Sequence, residues 1–176
     1  MANEGAQKWL IGIAAALAIV LVLVYAARLF RSEGRALTPE ELYEIATTAS
    51  DNGEREKATA ELSDCGAAGV EHLVKLLDKS HPDSVRALAI QGLQANWHFD
   101  SMPAFLNALN DSSLIVRGRA KVAVENFTGR RFEFKPNGPK KDREAVVAHI
   151  RKEWEQLSDS AGFQAWMKRK ANSSQQ

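Results

Sequence analysis

The sequence predicts an all-α fold, with one apolar N-terminal helix long enough to span a membrane followed by a short α-solenoid of about three helix pairs. Three observations carry this. Nineteen consecutive uncharged residues run from Trp9 to Ala27. The stretches "DSVRALAIQGL" at Asp83 and "LIVRGRAKVAV" at Leu114 both write Val-Arg-x-x-Ala. Beyond residue 38, apolar residues recur at helical spacing in segments separated by turn residues. A period in the thirties built from two amphipathic helices is the signature of a solenoid.

The first element is the uncharged run "WLIGIAAALAIVLVLVYAA". At about 1.5 Å per residue it makes a helix roughly 28 Å long, close to the thickness of a hydrocarbon core. Trp9 and Tyr25 stand near its ends, where amphipathic rings prefer the interface, and the long stem of Arg28 can snorkel toward headgroups. Val24-Tyr25-Ala26 resembles a signal-peptidase site, but the apolar core exceeds the ~7–15 residues of a secretory signal and only Lys8 precedes it. The expectation is an uncleaved single-pass anchor, residues 1–30. Arg28, Arg31 and Arg35 follow the run, so positive-inside counting places the larger domain on the cytoplasmic side. Residues 31–37 are a short polar linker, 38–158 the repeat domain and 159–176 a C-terminal tail.

Next comes "LTPEELYEIATTASDNG". Thr38 as N-cap, Pro39 at the first helical position and Glu41 three residues after the cap form a capping box. Leu42, Ile45, Ala46 and Ala49 share one face, and Asn52-Gly53 is expected to stop the helix. Then the self-similarity begins. Arg55, Arg86 and Arg117 fall at intervals of 31, as do Ala58, Ala89 and Ala120, and Leu62, Leu93 and Val124. Second helices answer them: Val70, Leu73, Val74 and Leu77 have the spacing of Met102, Phe105, Leu106 and Leu109, offset by 32. The one-residue difference falls in a turn, where insertions are tolerated.

These residues resemble the first helices of HEAT repeats, which read Asp, a short gap, Val-Arg, then small and apolar residues. The resemblance covers residues 53–129 well and the remainder loosely, and it is to short, membrane-anchored HEAT-repeat proteins of the bacterial type. In the first copy Glu54 replaces the valine, so that unit is a degenerate copy or a cap. The resemblance implies a right-handed solenoid in which each arginine pairs with an aspartate of a neighbouring turn. Asp83 or Asp78 is the expected partner of Arg86, and Asp111 that of Arg117. The small alanine one turn on lets paired helices approach closely. Most of the family are scaffolds and protein-binding modules, so a non-catalytic adaptor is the expected function.

The last unit is irregular. Its first helix should end at Thr128-Gly129, and "RRFEFKPNGPKK" then interposes a long turn with two prolines. Phe132 and Phe134 alternate with charged residues, which suggests an extended piece whose rings cover the end of the stack. Asp142 is expected to cap the closing helix, with Val146, Ile150, Trp154 and Leu157 on one face. Phe163, Trp166 and Met167 are positioned to dock back on it, while "KRKANSSQQ" reads as a frayed end.

Chemistry is sparse. A single cysteine, Cys65, excludes an internal disulfide and a multi-cysteine metal site, and its apolar spacing predicts a buried or half-buried thiol. His72, His81, His98 and His149 form no ligand-spaced pair, and there is no phosphate-cradling glycine loop or nucleophile elbow. No enzyme activity and no cofactor are expected. Charge is more informative: residues 33–83 carry twelve acids against five bases, residues 117–152 eleven bases against four acids. Two solvated faces with structural arginines would give that segregation; so would a binding site at the basic end. The candidate contact residues are Arg130, Arg131, Lys135, Lys140, Lys141 and Arg143, facing an acidic protein partner or, as the alternative, nucleic acid or anionic lipid. Single-strand binding also needs stacking aromatics, which Phe132 and Phe134 supply only if exposed.

Overall fold

The computed structural model describes residues 36–173. The apolar run Trp9–Ala27 and its anchoring role lie outside the described residues, among which no helix is long and apolar enough to cross a membrane. From Thr38 the chain forms a compact unit. It is all-α: α1 (Pro39–Thr48), α2 (Asn52–Asp64), α3 (Val70–Lys75), α4 (Asp83–Ala95), α5 (Met102–Ala108), α6 (Leu114–Thr128), α7 (Lys140–Ser158) and α8 (Ala161–Ser173). Short 3-10 turns, Gly66–Gly69 and Phe99–Ser101, lead into α3 and α5. In the described residues α1 packs on α2, α2 on α4, α4 on α6 and α5 on α7, with α3 against α4 and α5 against α6.

The capping box forms as the sequence predicts. The Glu41 N–H donates to Thr38 Oγ1 at 3.2 Å, and the Thr38 N–H donates to Glu41 Oε2 at 2.9 Å. Thr38→Ala is expected to lower the unfolding free energy by about 1 kcal/mol, measured by urea denaturation. α1 ends at Thr48, one turn before Asn52-Gly53, and those two residues open α2 instead of closing α1. The reason is Asp51, whose carboxylate accepts the Glu54 N–H at 2.9 Å and caps the new helix.

The period in the sequence is a period in burial. Ala58, Ala89 and Ala120 are all buried, as are Leu62, Leu93 and Val124. Small residues at these positions bring α2, α4 and α6 together, and Gly92 carries the same logic further: a Cβ there would stand 3.0 Å from Ser63 Cβ and 3.1 Å from Leu73 Cδ1. Of the second-helix residues, Met102, Phe105, Leu106 and Leu109 are core. In α3 the register differs: Val70, Leu73 and Leu76 are buried while Val74 is exposed.

Arg86 and Arg117 are both buried; Arg86 makes the expected pair with Asp83 and adds Asp111, whereas Arg117 does not take the Asp111 carboxylate expected of it. Arg86 takes the Asp111 carboxylate in a two-point contact (Nη2 to Oδ1 2.7 Å, Nε to Oδ2 3.2 Å), and also reaches Asp83 Oδ1 at 3.0 Å and the carbonyl of His81. Arg117 takes no carboxylate. Its Nη1 donates to the carbonyls of Asp111 and Ser112, each at 2.7 Å, and its Nε to that of Pro136 at 2.6 Å. Asp111 is thus shared, its side chain with the preceding unit and its backbone with its own. Asp78 serves locally by accepting the Ser80 N–H. Arg55 donates Nε to the Ala49 carbonyl.

At the C-terminal side, Gly129 closes α6 in the left-handed conformation (φ 66°), as expected of a glycine C-cap. The closing helix α7 starts at Lys140 behind Pro139, so Asp142 lies in its first turn and is not the cap. Val147 and Ile150 are its buried residues, with Val146 and Trp154 packed at the edge. The tail expected from residue 159 is instead helical from Ala161 to Ser173. Phe163 and Trp166 of this α8 meet Phe99 edge-on, with ring centroids 5.8 and 4.8 Å away. Trp97 completes the cluster by stacking on Phe127 at 5.6 Å, and it does so with φ 49°, an unusual backbone region for a bulky side chain.

Candidate functional site

The segment between α6 and α7 is held at every turn. Phe134 is buried in the core and Phe132 packs partly against it, so the alternation of rings and charges resolves into rings inward and charges outward. The Phe132 N–H donates to Glu125 Oε1 at 3.1 Å. The Pro136 carbonyl is held by Arg117, the Gly138 N–H donates to the Lys135 carbonyl at 2.9 Å, and Arg143 Nη1 donates to the Gly138 carbonyl at 2.6 Å. Two prolines with fixed φ stiffen what these bonds pin.

On this frame Arg130, Arg131, Lys135, Lys140 and Lys141 are exposed. Arg130 pairs with Glu153 at 2.9 Å, and Lys140 approaches Glu144 at 3.7 Å on the surface, a contact worth little in water. Among the described residues, Arg131, Lys135 and Lys141 make no ion pair. Arg143 differs from the other five candidates: it is half-buried, and its Nε is enclosed without an acceptor. It belongs to the frame of the loop. Burial, and then the neighbouring Arg143 charge, hold the Arg117 guanidinium below the ordinary arginine value, against the opposite pull of Asp111.

Between the loop and α7 lies an open groove of about 720 Å³, lined by Arg130, Arg131, Phe132, Val146, His149 and Glu153 among others. Glu153 also faces His149 at 3.3 Å, so one carboxylate bridges two basic groups across the groove wall. Cys65 is half-buried, donates to the Glu61 carbonyl at 3.4 Å, and has its pKa raised by burial and then by nearby Asp64, Glu61 and Glu40. That environment holds the thiol in its protonated, weakly nucleophilic form. Among the described residues no group of three His, Cys, Asp or Glu side chains is placed to hold a metal ion. What the site offers is a rigid display of positive charge beside a partly apolar groove.

The aromatic cluster of Trp97, Phe99, Phe127, Phe163 and Trp166 is the feature that reading by period misses. Its members come from three separate segments, 97–99, 127 and 163–166, and no repeat interval links them. Compared with protein-family models, with curated proteins and with solved structures, the chain matches none.

Proposed function

We propose that the chain is a membrane-anchored, HEAT-like α-solenoid that serves as a non-catalytic scaffold and binds an acidic protein partner through the loop between α6 and α7. The observation that carries this reading is the combination of a backbone pinned at Phe132, Lys135, Pro136 and Gly138 with exposed bases at Arg131, Lys135 and Lys141 that make no ion pair among the described residues. Preorganised charge lowers the ordering cost of binding and steers encounter. The single-pass anchor supports a role at the membrane surface and rests on the uncharged run Trp9–Ala27. A nucleic-acid reading is less favoured, because Phe134 is buried and Phe132 is half-buried against the core, leaving at most one ring edge in the groove where single-strand binding stacks successive bases.

The test is a pull-down from detergent extract with residues 36–176, with and without nuclease. A nuclease-resistant protein partner is expected, and loss of all captured material on nuclease treatment overturns the reading. Reversing charge with Lys140→Glu and Lys141→Glu should slow association and flatten its salt dependence, while stability stays within about 0.5 kcal/mol of the parent. Binding unchanged by the reversal moves the contact elsewhere on the unit.

A further inference from the structure

The outer face of α6 is apolar where its predecessor is polar. Leu114, Ile115 and Val122 are exposed at 52, 62 and 48%. The positions 31 residues earlier, on α4, are Asp83, Ser84 and Gln91. At 100° per residue, Leu114, Gly118, Val122 and Ile115 fall within one sector of about 100°, opposite the buried Val116, Ala120 and Val124, and the sector ends at its C-terminal side on Glu125, which is tied to Lys121 and the Phe132 N–H. A Cβ on Gly118 would meet nothing within 4 Å, so the stripe is open along its length. α6 is therefore apolar on two faces, and packing within the described residues accounts for only one.

The surroundings of the stripe are basic. Arg119 is exposed and without an ion pair among the described residues, and Arg130 and Arg131 follow directly beyond the helix end. Lys121 shares Glu125 at 3.7 Å, and Glu125 is the acid of this helix, already occupied by Lys121 and the Phe132 N–H. An apolar stripe edged by arginine and lysine is the pattern of a surface that lies in the headgroup region of a bilayer.

We propose that the outer face of α6 seats on an anionic lipid surface, with Leu114, Ile115 and Val122 entering the interface and Arg119 and Arg131 meeting the headgroups. Charge favours lipid over a second copy, since a symmetric pairing would set these arginines against their own counterparts. Area does too: three exposed side chains bury far less than the roughly 1,200 Å² of a stable interface. The proposal rests on the anchored reading above in one respect. Ten residues lie between Ala27 and Thr38, a tether of at most about 40 Å. Such a tether holds the unit at high effective concentration against the bilayer, so a face this small suffices.

The test uses the full chain with Cys65→Ser and Val122→Cys, labelled at the new thiol with an environment-sensitive fluorophore. It is reconstituted in phosphatidylcholine vesicles with and without phosphatidylglycerol. Carbonate washing first reports the anchor: a chain extracted by carbonate defeats the anchored reading, and fluorophore-labelled residues 36–176 added to the same vesicles then test the face by itself. The expected result is a blue shift and quenching by spin-labelled lipid in anionic vesicles, reduced in neutral ones and lost on adding Ile115→Asp. A carbonate-resistant chain whose fluorophore stays water-like overturns the proposal. So does a shift that follows protein concentration without lipid, which assigns the face to a second copy.

Discussion

Asp111→Ala is expected to lower the unfolding free energy by about 3–5 kcal/mol, the range for removing one partner of a buried ion pair. The substitution leaves Arg86, which is 2% exposed, with only Asp83 and the His81 carbonyl. It also strips the Ser113 N–H of its acceptor at 2.7 Å, so the turn before α6 loses its internal bond as well. Asp111→Asn retains an oxygen for Ser113 but not the charge, and should cost less. Acid gives an independent readout. Burial by itself raises the Asp111 pKa, but the hydrogen bonds from Arg86 and the Ser113 N–H, with the Arg86 and Lys79 charges, outweigh it and hold the carboxyl below its ordinary value. A depressed folded-state pKa contributes stability that is complete above the unfolded value of about 3.9 and is lost as pH falls through the folded value. The parent should therefore lose stability below about pH 4 more steeply than Asp111→Asn, with the two curves parallel above it. Parallel curves throughout, or an alanine variant within about 1 kcal/mol of the parent, refute the assignment.

Phe134→Ala is expected to cost about 3–5 kcal/mol, the range for emptying a phenylalanine site that the surroundings cannot refill. Phe134 is 2% exposed although its neighbours Glu133 and Lys135 are exposed. Phe132→Ala, half-buried at the edge, should cost clearly less. The comparison with the Lys140 and Lys141 reversals separates two roles within a single loop. Ring removal is to shift the urea midpoint at constant m-value, while charge reversal is to shift partner association and leave the midpoint in place. A Phe134→Ala variant as stable as the parent would show that the ring does not plug the end of the unit.

Much of this was legible because helices are written in local code. Thr38 and Glu41 are three residues apart, and the bonds between them need nothing beyond that spacing. The alanines at 58, 89 and 120 are small because neighbouring helices come close there, so their interval survives as a pattern. Asn52-Gly53 misled for a local reason too: the same dipeptide suits a helix end or a helix start, and the Asp51 side chain chose the start. The α3 register differs from that of α5, since Val70, Leu73 and Leu76 face inward at steps of three while Val74 faces out. Of the six basic candidates, five face solvent as a charged loop should, while Arg143 turns inward to the Gly138 carbonyl, a contact set by how the proline turn folds back.

The sequence by itself determined the helical character, the 31-residue interval and the cap at Thr38. Each follows from spacings of a few residues or from a repeated position. Only the tertiary structure decided that Asp111 gives its carboxylate to Arg86 and its carbonyl to Arg117, that residues 161–173 fold back as a helix onto Phe99, and that α6 shows an apolar face on its outer side. The Arg86–Asp111 pairing and the fold-back onto Phe99 depend on which turn meets which across 25 or more residues. An arginine with several donors accepts a carboxylate or a set of carbonyls equally well in sequence terms, and the register of the intervening turns settles which one is within reach.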